Sequence, residues 1–241
     1  KEVFEEAVQT SLDEALRLFV ESNLYGEELL KVNSSGALEE LLNKEKETIK
    51  KLISGLIIDK EILGVLDLDD LAAAKAVFQS YRSALLRDYI MHLADMHNIK
   101  TFLRLYILKE PVELLKAKLA EGGFIDAGIF IRLYDQDLSF FLSQLEHVHK
   151  RYEIINYSLF LSEGIRRAEK ENSFVTLEKT VNDFLIEILL PAKYLSFGFE
   201  PVVAYYFAKL NEINLIRMII LSKLNNLPDT IMKERLSNVY A

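Results

Sequence analysis

Hydrophobic residues recur at intervals of three and four positions along most of the chain. This spacing places them on one face of an α-helix. It is visible over residues 11–31 and 37–53, and it returns over residues 71–92. No stretch sustains the alternation of apolar and polar residues that is typical of a half-buried strand. The pattern therefore predicts a chain that is nearly all helix.

The longest uninterrupted pattern predicts a single helix over residues 137–160. Its apolar seam consists of Leu138, Phe141, Leu145, Val148, Tyr152, Ile155 and Leu159. Such a seam requires a partner helix, either inside the chain or on another protein. Further helices are expected to begin after Ser35, an N-cap residue type, and at Pro111 and Pro228, because proline favours the first helical position.

One stretch of the chain occurs twice. Residues 89–119 align without a gap with residues 206–236, at an offset of 117. The identical pairs are Tyr89/Tyr206, Leu93/Leu210, Ile99/Ile216, Pro111/Pro228, Lys116/Lys233 and Leu119/Leu236. A duplicated helical unit is typical of a modular scaffold or connector rather than an enzyme.

Composition narrows the class of protein further. Half of the 241 residues are hydrophobic, and 9 Gly and 4 Pro leave few turns for an all-β fold. The chain has no Cys, which excludes disulfides and thiolate metal sites. Its net charge of −8, without a dense basic run, argues against nucleic acid as a partner. No segment reaches the ~20 apolar residues of a membrane-spanning helix, and the Gly-containing, acidic region 54–70 is a candidate subdomain connection.

Two patterns could hold a metal ion. Glu146 and His149 stand three apart, as in di-metal helical bundles, but such sites need a second copy of the pair, and a solvated helix face is the favoured interpretation. Asp88, His92 and Asp95 follow one another along a single helical face, and the alternative is a stripe of ion pairs. The repeat favours that alternative, because the counterparts are Tyr205, Lys209 and Glu212.

The sequence contains few other patterns that are typical of catalytic sites. The sequence contains neither the G-x-x-x-x-G-K-[ST] phosphate loop nor a serine in a G-x-S-x-G context. We therefore expect no catalytic residues, no cofactor and no metal. The most informative charges are those whose sign both copies keep, Asp95 with Glu212 and Lys100 with Arg217. They are candidate docking residues or inter-helix polar contacts, and exposed helix charges are the alternative.

The C-terminal residues 197–236 carry a family resemblance. The residues that match are Phe197, Gly198, Glu200, Pro201, Ala204, Tyr205, Glu212, Arg217, Lys223, Asn225, Leu227 and Pro228. They resemble the closing motif of the C subunit of the V-type and A-type ATPases, which is equivalent to the d subunit of the eukaryotic V-ATPase. Asn214 departs from the motif because it precedes Arg217 by three residues. Residues 95–104 resemble a further stretch of the family.

The resemblance implies an all-α fold of repeated helical subdomains that form a funnel-like connector, pseudo-threefold if complete. We expect a partial first helical unit with its connection over residues 1–66, a second unit over 67–160, and a third over 161–241 with the family-like motif. Because the sequence begins at Lys1, the first unit is expected to be truncated.

The resemblance also implies a function. It predicts a non-catalytic component of the central rotor, peripheral to the membrane on its cytoplasmic side, with the central-stalk subunits and the membrane rotor ring as partners. Such a connector serves ATP-driven or ATP-forming ion transport, with protons or sodium as the coupling ion. The alternatives are a helical-repeat adaptor unrelated to an ATPase and, from another class, a helical-bundle metalloenzyme.

Overall fold

The computed structural model describes residues 1–150 and 153–240 of the chain. Thirteen α-helices, two 3-10 helices and one two-stranded hairpin make up the regular structure of these residues, so the all-α prediction is confirmed. The chain divides into two compact units, unit 1 (Lys1–Ile58 with Ala192–Ala241) and unit 2 (Asp59–Pro191). The boundary at Ile58 falls within the predicted connection 54–70. The expected three repeats over 1–66, 67–160 and 161–241 stay a prediction.

The elements in chain order are as follows. The α-helices are α1 (Glu2–Gln9), α2 (Leu12–Glu21), α3 (Ser35–Leu56), α4 (Lys60–Gly64), α5 (Leu71–Ser80), α6 (Ala84–Ile107), α7 (Val112–Lys118), α8 (Ala127–Leu133), α9 (Leu138–Gln144), α10 (Ser158–Glu171), α11 (Val175–Leu189), α12 (Glu200–Leu224) and α13 (Asp229–Arg235). The 3-10 helices are Glu27–Lys31 and Leu190–Tyr194, and the hairpin pairs β1 (Val148–Lys150) with β2 (Glu153–Ile155).

Short polar residues fix where several of these helices begin. The Ser34 side chain accepts a hydrogen bond from the Ala37 N–H, so Ser34 is the N-cap of α3 and the predicted cap, Ser35, is its first helical residue. Asp70 and Ser83 cap α5 and α6 in the same way. Each of these bonds satisfies a backbone N–H that the helix itself leaves unpaired.

Unit 1 is organised around its longest helix, α12, which packs against α1, α2, α3 and α13. The rings of Phe4 and Phe19 lie 5.6 Å apart in its core, and both side chains are buried. Because α12 has neighbours on several sides, its apolar residues are spread around the helix rather than confined to one stripe. Burial of Val203, Ile216 and Ile219 illustrates this distribution.

Unit 2 is organised around α6, which packs against α5, α7, α8, α10 and α11. Its core contains a cluster of aromatic rings in which Phe102 stacks on Phe141 with centroids 4.1 Å apart. Helices α10 and α11 approach closely at Gly164, where an added Cβ would lie 2.7 Å from the Leu177 Cα. Any larger residue at this position would force the two helices apart.

The predicted helix over residues 137–160 is wrong. The chain forms α9, turns into the β1–β2 hairpin and resumes as α10, while Tyr152 lies outside the described residues. Leu138, Phe141, Leu145 and Val148 are buried as the seam predicted, whereas Leu159 is 81% exposed. The β-branched residues Val148, Ile154 and Ile155 favour strands, and the Asn156 side chain accepts a bond from the Leu159 N–H as a new helix begins.

Candidate functional site

The duplicated stretch folds into the same local structure in both units. In unit 2, a turn at Lys109 follows the end of α6, and Pro111 precedes α7. In unit 1, a turn at Asn226 follows the end of α12, and Pro228 precedes α13. Lys109 and Asn226 both have left-handed backbones, with φ of 55° and 53°. The turns share two equivalent backbone hydrogen bonds. In unit 2, Leu108 N–H donates to Arg104 O and Glu110 N–H donates to Leu105 O. In unit 1, the aligned bonds run from Asn225 N–H to Leu221 O and from Leu227 N–H to Ser222 O.

Asp95, the first of the four candidate polar residues, is completely buried in unit 2. Its carboxylate accepts hydrogen bonds from the backbone N–H groups of Phe124 at 3.2 Å and Ile125 at 3.0 Å. The close approach depends on Gly123, since an added Cβ there would lie 2.1 Å from the Asp95 Oδ1. Asp95 therefore fastens the loop after α7 onto α6, and its side chain offers no surface to a partner.

Asp95 also belongs to a buried polar chain. The Tyr157 hydroxyl lies 2.8 Å from the Asp95 Oδ2 and 2.7 Å from the His92 Nδ1. Burial raises the pKa of Asp95 to about 7, although the bonds from Ile125, Tyr157 and Phe124 act in the opposite direction. Burial likewise lowers the pKa of His92 to about 4. Both groups therefore favour their neutral forms inside the unit.

Lys100 lies further along α6 and is half-buried. Burial lowers the pKa of its ammonium, and the negative charge of Glu178 on α11 partly offsets that effect. Glu178 forms an ion pair with Arg104, one turn beyond Lys100. Lys100 and Arg104 of α6 thus both interact with Glu178 on the packed helix α11.

Glu212 and Arg217 belong to α12 in unit 1, and each has its own partner. The Lys209 Nζ donates to the Glu212 carboxylate at 2.6 Å, and the two side chains are 21% and 14% exposed. The Arg217 Nε donates to Glu39 of α3 at 2.5 Å, and the Arg217 side chain is 47% exposed. Of the four candidates, Arg217 is accordingly the one that combines an ion pair with a large exposed fraction.

A surface cavity of about 320 Å³ adjoins Arg217. Polar donors on its wall include Asn214, Arg235 and Asn225, and Leu227 contributes apolar surface. Several of these residues belong to the motif that carries the family resemblance. The structure therefore places three of the motif residues, Arg217, Asn225 and Leu227, at one accessible cavity of unit 1.

The two metal patterns take other structures. Glu146 lies in the turn before the hairpin and His149 in β1, so the pair does not share a helical face. Asp88 forms ion pairs with Arg87 and Lys150, while His92 and Asp95 form the polar chain with Tyr157. Within residues 1–150 and 153–240, no group of three or more His, Cys, Asp or Glu side chains is arranged to hold a metal ion.

Sequence reasoning missed several polar contacts that fasten the long helices. Asn98 forms two bonds with the backbone of Ala120, donating at 2.9 Å and accepting at 2.8 Å. Asn211 of α12 donates to the Asn238 carbonyl at 3.1 Å. Asn211 lies one helical turn before Leu215, the residue that aligns with Asn98. Asn98 is part of the family-like stretch 95–104, but nothing in the local pattern identifies Tyr157 or Glu39 as partners of the predicted charges.

Comparison with known families gives the class of protein. The chain matches the family described as ATP synthase (C/AC39) subunit over residues 67–235, more than half of its length. No curated protein and no solved structure gives a significant match. The chain belongs to the ATP synthase (C/AC39) subunit family, which places it among the components of V/A-type ATPases. Among the described helices, none is both long and apolar enough to cross a membrane.

Proposed function

We propose that the chain is a non-catalytic connector of the central rotor in a V/A-type ATPase. In this role it couples the central stalk to the membrane rotor ring during ATP-driven or ATP-forming ion transport. It lies on the cytoplasmic side of the membrane and is held there by contacts with other subunits. The observation that carries the proposal is the family match over residues 67–235.

The construction of each unit suits the transmission of torque. A connector must resist deformation, and both units contain a helix of more than twenty residues with packed neighbours. Polar contacts join each long helix to an adjacent segment. Asp95 forms this contact in unit 2, and Arg217 forms it in unit 1. Hydrophobic burial resists separation without direction, whereas such polar contacts fix register and orientation.

We further propose different tasks for the four candidate charges. Asp95 braces a loop, and Lys100 and Glu212 sit beside charged neighbours within their own units. Arg217 is about half exposed and borders the cavity of the C-terminal motif, so it is the candidate for contact with the stalk or ring. Charged contacts at such a surface would set orientation and assembly rate more than affinity.

A bridging assay tests the proposed function. Purified rotor rings in detergent are mixed with stalk subcomplex, with and without the chain, and sedimented. The expected result is that the stalk sediments with the rings only when the chain is present. Sedimentation of the chain with neither component would contradict the connector role and leave a helical-repeat adaptor of another assembly as the better interpretation.

A further inference from the structure

A second feature of unit 2 lies beside the loop that Asp95 fastens to α6. It is a surface cavity of about 250 Å³ between α5, α6 and the hairpin. Its walls include Lys75 and Gln79 of α5, Arg87 of α6, Phe124, and His149 and Lys150 of β1. Among the described residues, three cations line this cavity together with an amide and an imidazole, and none of the lining residues is a carboxylate. This concentration is unexpected in a chain whose net charge is −8.

Asp88 holds two of these cations in place. Its carboxylate accepts from the Arg87 Nε at 2.8 Å and lies 3.0 Å from the Lys150 Nζ. The side chains of Arg87 and Asp88 are each 14% exposed, so this anchor is largely shielded from water. One carboxylate therefore positions cations from two different elements, a helix and a strand, at the same cavity.

The anchor does not neutralise the cavity. Asp88 supplies one negative charge against three cations, and the only other carboxylate near Lys150 within the described residues is Glu153, at 3.7 Å and 74% exposed. Lys75 forms no direct ion pair with any residue in the described ranges, although its charge acts at longer range on the buried Asp95. Arg87 uses its Nε and Nη2 for Asp88, which leaves other guanidinium N–H groups able to donate.

We infer that this cavity binds a phosphate group, either free inorganic phosphate or the phosphate of a nucleotide. The donors come from three elements and surround one space, which suits a tetrahedral oxyanion with several acceptor oxygens better than a planar carboxylate. The guanidinium and ammonium groups would share its charge in charge-assisted hydrogen bonds. The site is independent of the connector role, because none of its residues belongs to the candidate docking set.

Isothermal titration calorimetry with inorganic phosphate and with ADP tests the inference, with the intact chain at constant ionic strength. The chain should bind phosphate saturably, and Lys75→Gln should weaken that binding by about tenfold or more. Lys116→Gln is the matched control, since it removes the same charge from an exposed lysine of the same unit. Equal losses in both variants would show general charge attraction and overturn the inference.

Gln79→Glu separates loss of binding from loss of folding. It places a carboxylate one helical turn from Lys75 among the cations, so the melting temperature without phosphate should be unchanged or higher. Phosphate should then no longer raise the melting temperature, because the new carboxylate occupies the cationic site. Retention of the full phosphate-dependent rise would contradict the inference.

The ligands themselves provide the remaining outcomes. Tighter binding of ADP than of phosphate, lost in the same variants, identifies a nucleotide phosphate, and equal binding identifies free phosphate. Absence of saturable binding for both ligands overturns the inference. So does binding of a polyaspartate peptide alone, which would reassign the cavity to an acidic segment of a protein partner.

Discussion

The two copies of the repeated helix pair keep one backbone design but use their polar side chains differently. In both, a left-handed residue, Lys109 or Asn226, follows the end of a long helix, and a proline precedes the next helix. At the aligned acidic position, however, Asp95 is buried against backbone N–H groups, whereas Glu212 is paired with Lys209. The same charge sign therefore serves two different purposes.

The difference shows what constrains each kind of position. The turn is determined locally, by hydrogen bonds among neighbouring residues and by a proline that cannot donate one. The partner of a polar side chain is determined by whatever element packs against the helix. In unit 2 that element at Asp95 is the loop containing Phe124, and in unit 1 the element at Arg217 is α3.

The largest predicted effect compares Asp95→Ala with Glu212→Ala. Asp95→Ala removes the acceptor of two backbone N–H groups in a buried place, so the free energy of unfolding should fall by about 3 kcal/mol or more. Glu212→Ala removes a single part-buried ion pair without unpairing a backbone N–H, and it should cost about 1–2 kcal/mol. Urea denaturation of both variants measures the difference. Equal losses would show that the two copies use this position alike.

An intermediate effect concerns pH and the buried pair of Asp95 and His92. Because the pKa of Asp95 is raised to about 7, its contribution to stability is present at low pH and is lost as pH rises from about 4 through 7. Because the pKa of His92 is lowered to about 4, its contribution is present above pH 6.5 and is lost as pH falls through about 4. Between about pH 4 and 6.5 the two contributions oppose each other.

Single variants should separate the two contributions. In Asp95→Asn only the His92 contribution remains, so the free energy of unfolding relative to wild type should rise with pH, by up to about 1.4 kcal/mol per unit. In His92→Gln it should fall with pH over the same range. Urea titrations at pH 4.5 and 6.5 measure both slopes. If the free energy of unfolding changed with pH in the same direction in both variants, Asp95 and His92 would not both be neutral in the folded unit.

The smallest effect compares the two turns. Lys109→Gly should raise the free energy of unfolding by about 0.5–1 kcal/mol, because glycine adopts the left-handed conformation without the strain that lysine bears. Asn226→Gly should change it by less than about 0.5 kcal/mol, because asparagine tolerates that conformation. Thermal melting of the two variants distinguishes them. A larger gain at Asn226 would mean that the turns are not equivalent.

The sequence predicted the features that repeat locally and missed those that depend on tertiary neighbours. Helical periodicity identified the all-α class, and the paired prolines at 111 and 228 located the repeated turn. The apolar spacing from Leu138 to Val148 correctly marked buried residues, but it did not show that the chain reverses in a hairpin at Val148. Leu138 and Phe141 lie in α9 and Leu145 caps it, and the first hairpin residue, Val148, is buried at the next interval of the same seam.

The candidate site shows the same limit. The four charges share one property in the sequence, a sign that both copies keep, yet Asp95 is buried and Arg217 is half exposed. Burial of this kind depends on a loop some thirty residues away, which no local pattern reports.

The most direct test of the account exchanges the Arg217 ion pair. The double variant Glu39→Arg with Arg217→Glu keeps the pair but reverses the charge at the proposed docking surface, and Glu163→Arg with Arg166→Glu makes the matched exchange on α10. Both should melt like wild type. Binding to the stalk subcomplex and rotor ring should weaken about tenfold or more, at least about 1.4 kcal/mol, in the first variant only. Unchanged binding of the Arg217 exchange, or no binding by the wild-type chain, would contradict the account.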